Sequence, residues 1–160
     1  MPVKKLKEFL DENNVKYVSV SHSAAYTAQE IAASAHIPGK ELAKTVILKV
    51  KGELAMAVLP ASFKVDFDLM KEALGTDEIE LAAEEEFKYY FSNCEVGAMP
   101  PFGNLYDMDV YVAESLSKDE QIAFNACNHK ELVKMSYKDF ESLVNPKVLN
   151  FSFNFDKHHH

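Results

Sequence analysis

At 160 residues, 48% of them hydrophobic and 26% charged, the chain is the size of one globular domain with an apolar core of its own. A formal net charge of −8 weighs against a reader of DNA sequence, although lysines gather at Lys4, Lys5 and Lys7, at Lys40, Lys44, Lys49 and Lys51, and at Lys130, Lys134 and Lys138, where an RNA end could still be met. No apolar run is long enough to cross a bilayer, and Met1 to Lys5 leads into an amphipathic segment in place of a signal core, so a cytoplasmic protein without membrane contact is expected.

Leu6, Phe9 and Leu10 recur at helical spacing and predict a first helix over about residues 2–13, ended by Asn13-Asn14. Residues 15–20 alternate as a short strand. Thr27-Ala28-Gln29-Glu30 has the pattern of a capping box and opens an alanine-rich helix that stops before Pro38-Gly39. Residues 45–50 and 54–59 flank Lys51-Gly52-Glu53 and predict a hairpin. Asp66 caps a helix that runs through Leu74, with Gly75 as its stop. A short strand over 78–81 and a helix around 84–90 follow.

Residues 97–104, G-A-M-P-P-F-G-N, then hold two of the five glycines and two of the six prolines. Glycine lets a ligand approach the backbone and Pro-Pro stiffens the chain, which suits a pocket wall and equally an awkward strand connection. Beyond this loop, 108–113, 121–125 and 132–135 read as strands, and Ser136-Tyr137-Lys138-Asp139 caps a last helix to about Val144. Phe151-Ser152-Phe153-Asn154-Phe155 alternates like an edge strand or a segment docked on a surface. No repeat or linker interrupts the chain, so 1–157 is taken as one domain and 158–160 as the remnant of a purification tag. Strands are too clustered for a βαβ succession, and the expected class is α+β, a mixed sheet with peripheral helices.

Lys44 is the most informative single residue. Strand side chains alternate, so Lys44, Val46, Leu48 and Val50 share one face and Thr45, Ile47 and Lys49 the other. A lysine heading an apolar face either turns inward, where it can grip a carbonyl or phosphate oxygen, or snorkels to water from the strand end. His22, His36 and His129 lack metal-ligand spacing. His22 and His129 lie in loops from which a pocket could be reached, with a hydrogen-bonded loop histidine as the plainer meaning of each. Cys94 and Cys127 are far apart and outside any C-x-x-C pattern, so neither a disulfide framework nor a zinc site is expected. Cys127 is either a nucleophile or, more ordinarily, a small buried apolar residue. G-x-S-x-G, P-loop and dinucleotide patterns are absent, and no cofactor or metal is expected.

Four pieces stand in one order: His22-Ser-Ala-Ala-Tyr26-Thr27-Ala-Gln-Glu30, Leu42-Ala43-Lys44-Thr45-Val-Ile-Leu-Lys49, the G-x-x-x-P-F-G loop from Gly97 to Gly103, and Phe124-Asn125-Ala126 with His129. Together they resemble the YbaK/ProX family, free-standing relatives of the editing domain inserted in bacterial prolyl-tRNA synthetases, over about residues 3–144. The resemblance implies a curved, barrel-like sheet and hydrolysis of the ester that links a wrong amino acid to tRNA, usually tRNA(Pro). It implies the acceptor end of aminoacyl-tRNA as partner, with prolyl-tRNA synthetase as a further one, and no DNA. Lys44 matches the family's essential lysine, Gly97 the loop glycine whose backbone lies beside the aminoacyl group, and His129 a histidine near the amino-acid pocket. His22, Tyr26, Thr45, Pro100, Ala126 and Cys127 are expected around the substrate by position. The family often has glycine after its Asn-Ala stretch; Cys127 stands there, and its side chain would narrow the pocket. The same fold could instead bind a tRNA end or a synthetase without hydrolysis, or hydrolyse small aminoacyl esters. Lysine at 44 and glycine at 97 favour the editing deacylase.

Overall fold

The computed structural model describes residues 2–21, 39–91, 94–95, 98–128 and 130–154. The helix expected after Thr27 lies outside them. Helix α1 (Pro2–Glu12) buries Leu6 and Leu10 and ends where Asn14 takes a φ of 57°, a left-handed conformation asparagine tolerates. Strand β1 (Tyr17–Ser21) follows. After a short 3-10 turn (Gly39–Glu41), strands β2 (Ala43–Val50) and β3 (Glu53–Pro60) form the expected hairpin, with Val50 opposite Glu53. Lys51 at φ 53° and Gly52 at φ 84° make a two-residue turn of the kind whose twist matches that of the paired strands.

Strand β4 (Phe63–Val65) leads into helix α2 (Phe67–Leu74), whose first turn is capped by the Asp66 carboxylate accepting from the Leu69 N–H at 3.1 Å. Gly75, at φ 67°, ends it. Strand β5 (Ile79–Leu81) and helix α3 (Glu84–Phe87) come next; α3 is shorter than the pattern predicted because Tyr90 and Phe91 turn back on Phe87 and Lys88 in three-residue steps. The chain closes with β6 (Asp109–Ala113), α4 (Glu114–Ser117), β7 (Gln121–Asn125), β8 (Glu131–Ser136), α5 (Tyr137–Val144), β9 (Lys147–Leu149) and β10 (Ser152–Asn154). The tail pairs as an edge strand, β10 against β4. The short elements β4, α4 and β9 were not anticipated: three or four residues cannot display a period.

The strands form a mixed five-stranded sheet ordered β5-β2-β3-β6-β9, a three-stranded antiparallel sheet β1-β8-β7, and the β4–β10 pair. A single parallel bridge, Leu42 to Ala123, ties the first two sheets together. The architecture is thus the expected α+β mixed sheet, curved across a seam without closing into a barrel. Both faces of the large sheet are covered, so β3 is buried from Ala55 to Pro60 without a break. Met56 and Val58 join a core with α1, α5 and the three-stranded sheet; Ala55, Ala57 and Leu59 join a second core under α2.

The Gly/Pro loop is an internal part of the first core. Ala98 to Gly103 are all buried, and the Phe102 ring meets Phe124 at 5.4 Å and Phe140 at 5.5 Å edge-on. Gly103 is required by space: a Cβ there would lie 2.4 Å from the Met108 carbonyl oxygen and 2.5 Å from a Val110 methyl. Gly75 is required by conformation alone, since nothing lies within 4 Å of its added Cβ. Gly103→Ala should therefore cost about 3 kcal/mol through overpacking, and Gly75→Ala about 1 kcal/mol through left-handed backbone strain. Urea unfolding of the two variants measures both; equal costs would contradict the distinction.

Candidate active site

Lys44 stands at the head of β2, before the stretch that β5 pairs. Val46, Leu48 and Val50 pack into the core under α2, so the alternation read from sequence holds and Lys44 heads that face, half-buried. Lys49 faces the other way and is held by Glu86 at 2.7 Å and Glu80 at 3.7 Å, which raises its pKa. Lys44 has the opposite environment: burial, then the charge of Lys64 on β4, lowers its pKa below the usual 10.5. On the outer edge of β2, strand β5 pairs only at Leu48 to Val50. Residues 43–46 of that edge have no ladder partner among the described residues. The neighbour at this end is β7, through the Leu42–Ala123 bridge. Two residues further along each strand stand Lys44 and Asn125. The Asn125 Oδ1 is buried and has no hydrogen-bond partner among the described residues.

The loop after β7 is strapped to the Gly/Pro loop. Glu95 N–H donates to the Cys127 carbonyl at 2.9 Å, and Cys127 N–H donates to the Ala98 carbonyl at 2.9 Å. Cys94 and Cys127 are joined by a disulfide, with their Cα atoms 4.4 Å apart. This corrects the expectation from sequence that the cysteines would not pair. Their 33-residue separation hid an approach made only when the two loops meet at one end of the fold. Cys127 also has φ 70°, in the left-handed region that favours glycine. The backbone at 127 therefore has the shape a glycine would take, while its side chain is turned into the disulfide.

Of the residues singled out by sequence, Lys44, Thr45, Pro100, Ala126 and Cys127 are described; His22, Tyr26, Gly97 and His129 lie outside the described residues. Thr45 is 8% exposed and faces opposite to Lys44, so the two do not line one surface of the sheet. Ala126 and Cys127 are buried beside the strapped loops, and Pro100 is buried within its loop. Sequence reasoning missed Asn125 and Lys64 as site members. A polar residue ending the apolar run Ile122-Ala123-Phe124 was the available signal for Asn125; Lys64 had none. A cleft of about 540 Å³ opens at the other end of the hairpin, but Glu53, Asp107 and Asp109 line it without a lysine, which makes it a poor host for phosphate.

A family model for the aminoacyl-tRNA editing domain matches residues 22–143, a span that contains Lys44, both strapped loops and the seam between the sheets. The chain belongs to this family. The prolyl-tRNA editing protein ProX of Acetoanaerobium sticklandii is 25% identical over 141 residues, 84% of this chain and 85% of that protein. A proline–tRNA ligase of Bacillus mycoides is 29% identical over 82 residues, 51% of this chain and 14% of the ligase. Among solved structures, a candidate trans-editing enzyme for prolyl tRNA synthetase superimposes with a TM-score of 0.81 at 15% identity, over 95% of this chain and 97% of that one, a likeness of fold.

In this editing domain the lowered pKa of Lys44 has a consequence for stability. The folded state gives up the Lys44 proton at a lower pH than the unfolded chain does. The cost of holding the buried charge is thus fully present below the folded pKa and fades as pH rises through it towards 10.5. Lys44→Met should unfold at higher urea than the native protein at neutral pH, with the gap narrowing in alkaline buffer. A gap that widens with pH would contradict the assignment.

Proposed function

We propose that this protein is a trans-editing aminoacyl-tRNA deacylase that hydrolyses the ester of a mischarged tRNA, most readily tRNA(Pro) carrying a small amino acid. The observation that carries the reading is the setting of Lys44: among the described residues it is a half-buried cation without a carboxylate partner, on a strand edge without a ladder partner, level with an Asn125 Oδ1 that has no hydrogen-bond partner among them either. Membership of the editing family and the likeness to a prolyl-tRNA editing protein supply the substrate class.

An aminoacyl ester is already activated, so orientation and charge stabilisation are sufficient to speed attack by water. Lys44 holds the terminal adenosine through a phosphate oxygen and so orients the ester. The Gly97 backbone approaches the scissile carbonyl, where a side chain would intrude. Water adds to that carbonyl, the ester C–O bond breaks, and the products are the free amino acid and the tRNA with its terminal ribose hydroxyl restored. The free ribose hydroxyl assists the water. Discrimination rests on volume, because one methylene is worth only about 1–3 kcal/mol in a pocket, and Ala126, Cys127 and His129 are the candidates, by their position in the sequence, for setting it. Acidic overall charge suits a protein that receives its tRNA from prolyl-tRNA synthetase instead of capturing it alone.

Deacylation of tRNA(Pro) charged with alanine, cysteine, serine or proline provides the test. One mischarged species should be lost rapidly and prolyl-tRNA(Pro) spared, and Lys44→Ala should slow the reaction by about 100-fold or more while the circular dichroism spectrum is kept. Full activity in folded Lys44→Ala would remove Lys44 from the mechanism. Turnover of short aminoacyl esters as fast as charged tRNA would identify a small-molecule esterase instead.

A further inference from the structure

We propose that Cys94 and Cys127 form a reversible redox site whose reactant is a dithiol, and that the disulfide sets the geometry of the loop that walls the editing site. The geometric part stands by itself; its effect on rate rests on the deacylase reading above.

The disulfide lies where a small change has leverage. Cys94 begins the segment that runs into the Gly/Pro loop, and Cys127 follows Asn125 and Ala126 at the end of β7. Gly97 falls in the sequence between the two hydrogen bonds that join these segments, from Glu95 N–H to Cys127 and from Cys127 N–H to Ala98. Cys127 has a left-handed φ of 70°, a conformation unfavourable for a non-glycine residue. With the disulfide in place that conformation is over-determined. With the thiols free, Cys127 gains by relaxing to a negative φ, and relaxation turns its N–H and C=O away from Ala98 and Glu95. The strap and the left-handed residue thus form one unit that the disulfide holds together.

Access is unequal. Cys127 is 2% exposed and Cys94 is half-buried, so Cys94 is the sulfur a reductant can reach. A thiolate of the dithiol attacks the Cys94 sulfur, the protein S–S bond breaks, and Cys127 leaves as a thiolate that takes up a proton. The second thiol of the reductant then displaces Cys94 and closes the reductant's own disulfide. Two electrons and two protons pass to the protein. A protein acting on aminoacyl-tRNA works where thiols are kept reduced, and disulfides formed there are characteristically transient and sensing.

The experiment compares the native protein under mild oxidation by oxidised glutathione with the same protein after dithiothreitol. Iodoacetamide and mass spectrometry count free thiols, hydrogen exchange reads the Glu95 and Cys127 amides, and alanyl-tRNA(Pro) hydrolysis reads activity. Two thiols should become alkylated only after reduction. Exchange at both amides should then rise about tenfold or more, while the β2–β3 amides stay unchanged. Hydrolysis should fall by about tenfold, as expected for a displaced loop, and Cys94→Ser should behave like the reduced protein in either buffer. Two free thiols under oxidation, or amides indifferent to reduction, would overturn the proposal. An unchanged rate despite altered exchange would overturn its link to catalysis. If exchange responds but neither form hydrolyses any charged tRNA, the redox site stands and the deacylase reading falls.

Discussion

The constraint on which the rest of the structure depends is that β2 and β3 are covered on both faces. Met56 and Val58 look into one core, Ala55, Ala57 and Leu59 into the other, and Ile47 and Leu48 divide in the same way on the neighbouring strand. A hairpin buried on both sides has no room for a charge along its length, because an ammonium removed from water needs a partner or a way out. Lys49 meets this with two carboxylates. Lys44 meets it by standing at the strand's head, where β5 no longer pairs and the seam with β7 begins. The lowered pKa of Lys44 records what that placement costs, since burial and the nearby charge of Lys64 both disfavour the ammonium.

The second organising fact is that the Gly/Pro loop is interior. Six consecutive residues from Ala98 to Gly103 are buried, and a buried loop must account for each backbone donor and acceptor. Proline removes the problem at two positions, since Pro100 and Pro101 have no N–H to satisfy. The Ala98 carbonyl takes the Cys127 N–H, and the Gly103 carbonyl takes those of Tyr106 and Met108. Phe102 then fixes the loop by its ring, edge-on to Phe124 and Phe140, and ties its position to β7 and α5. The two prolines thus let the chain bury a backbone that would otherwise be too polar to bury. The Cys94–Cys127 disulfide secures the same loop at its other end.

Much of this was legible along the chain because it is local. The Asp66 and Ser136 caps, the Gly75 stop, the Lys51–Gly52 turn and the alternation that turns Lys44 and Lys49 to opposite faces each depend on residues within a few positions of one another. The order of motifs likewise carried the family. Tertiary structure alone decided the rest. It paired β3 with β6 in parallel, brought β10 back onto β4, and buried the Asn125 Oδ1 without a hydrogen-bond partner among the described residues. It also joined two cysteines that the sequence reading had kept apart. Those features depend on which distant segments share a seam. Neither propensity nor spacing records that, because the free energy of such contacts appears only when several elements are buried against one another at once.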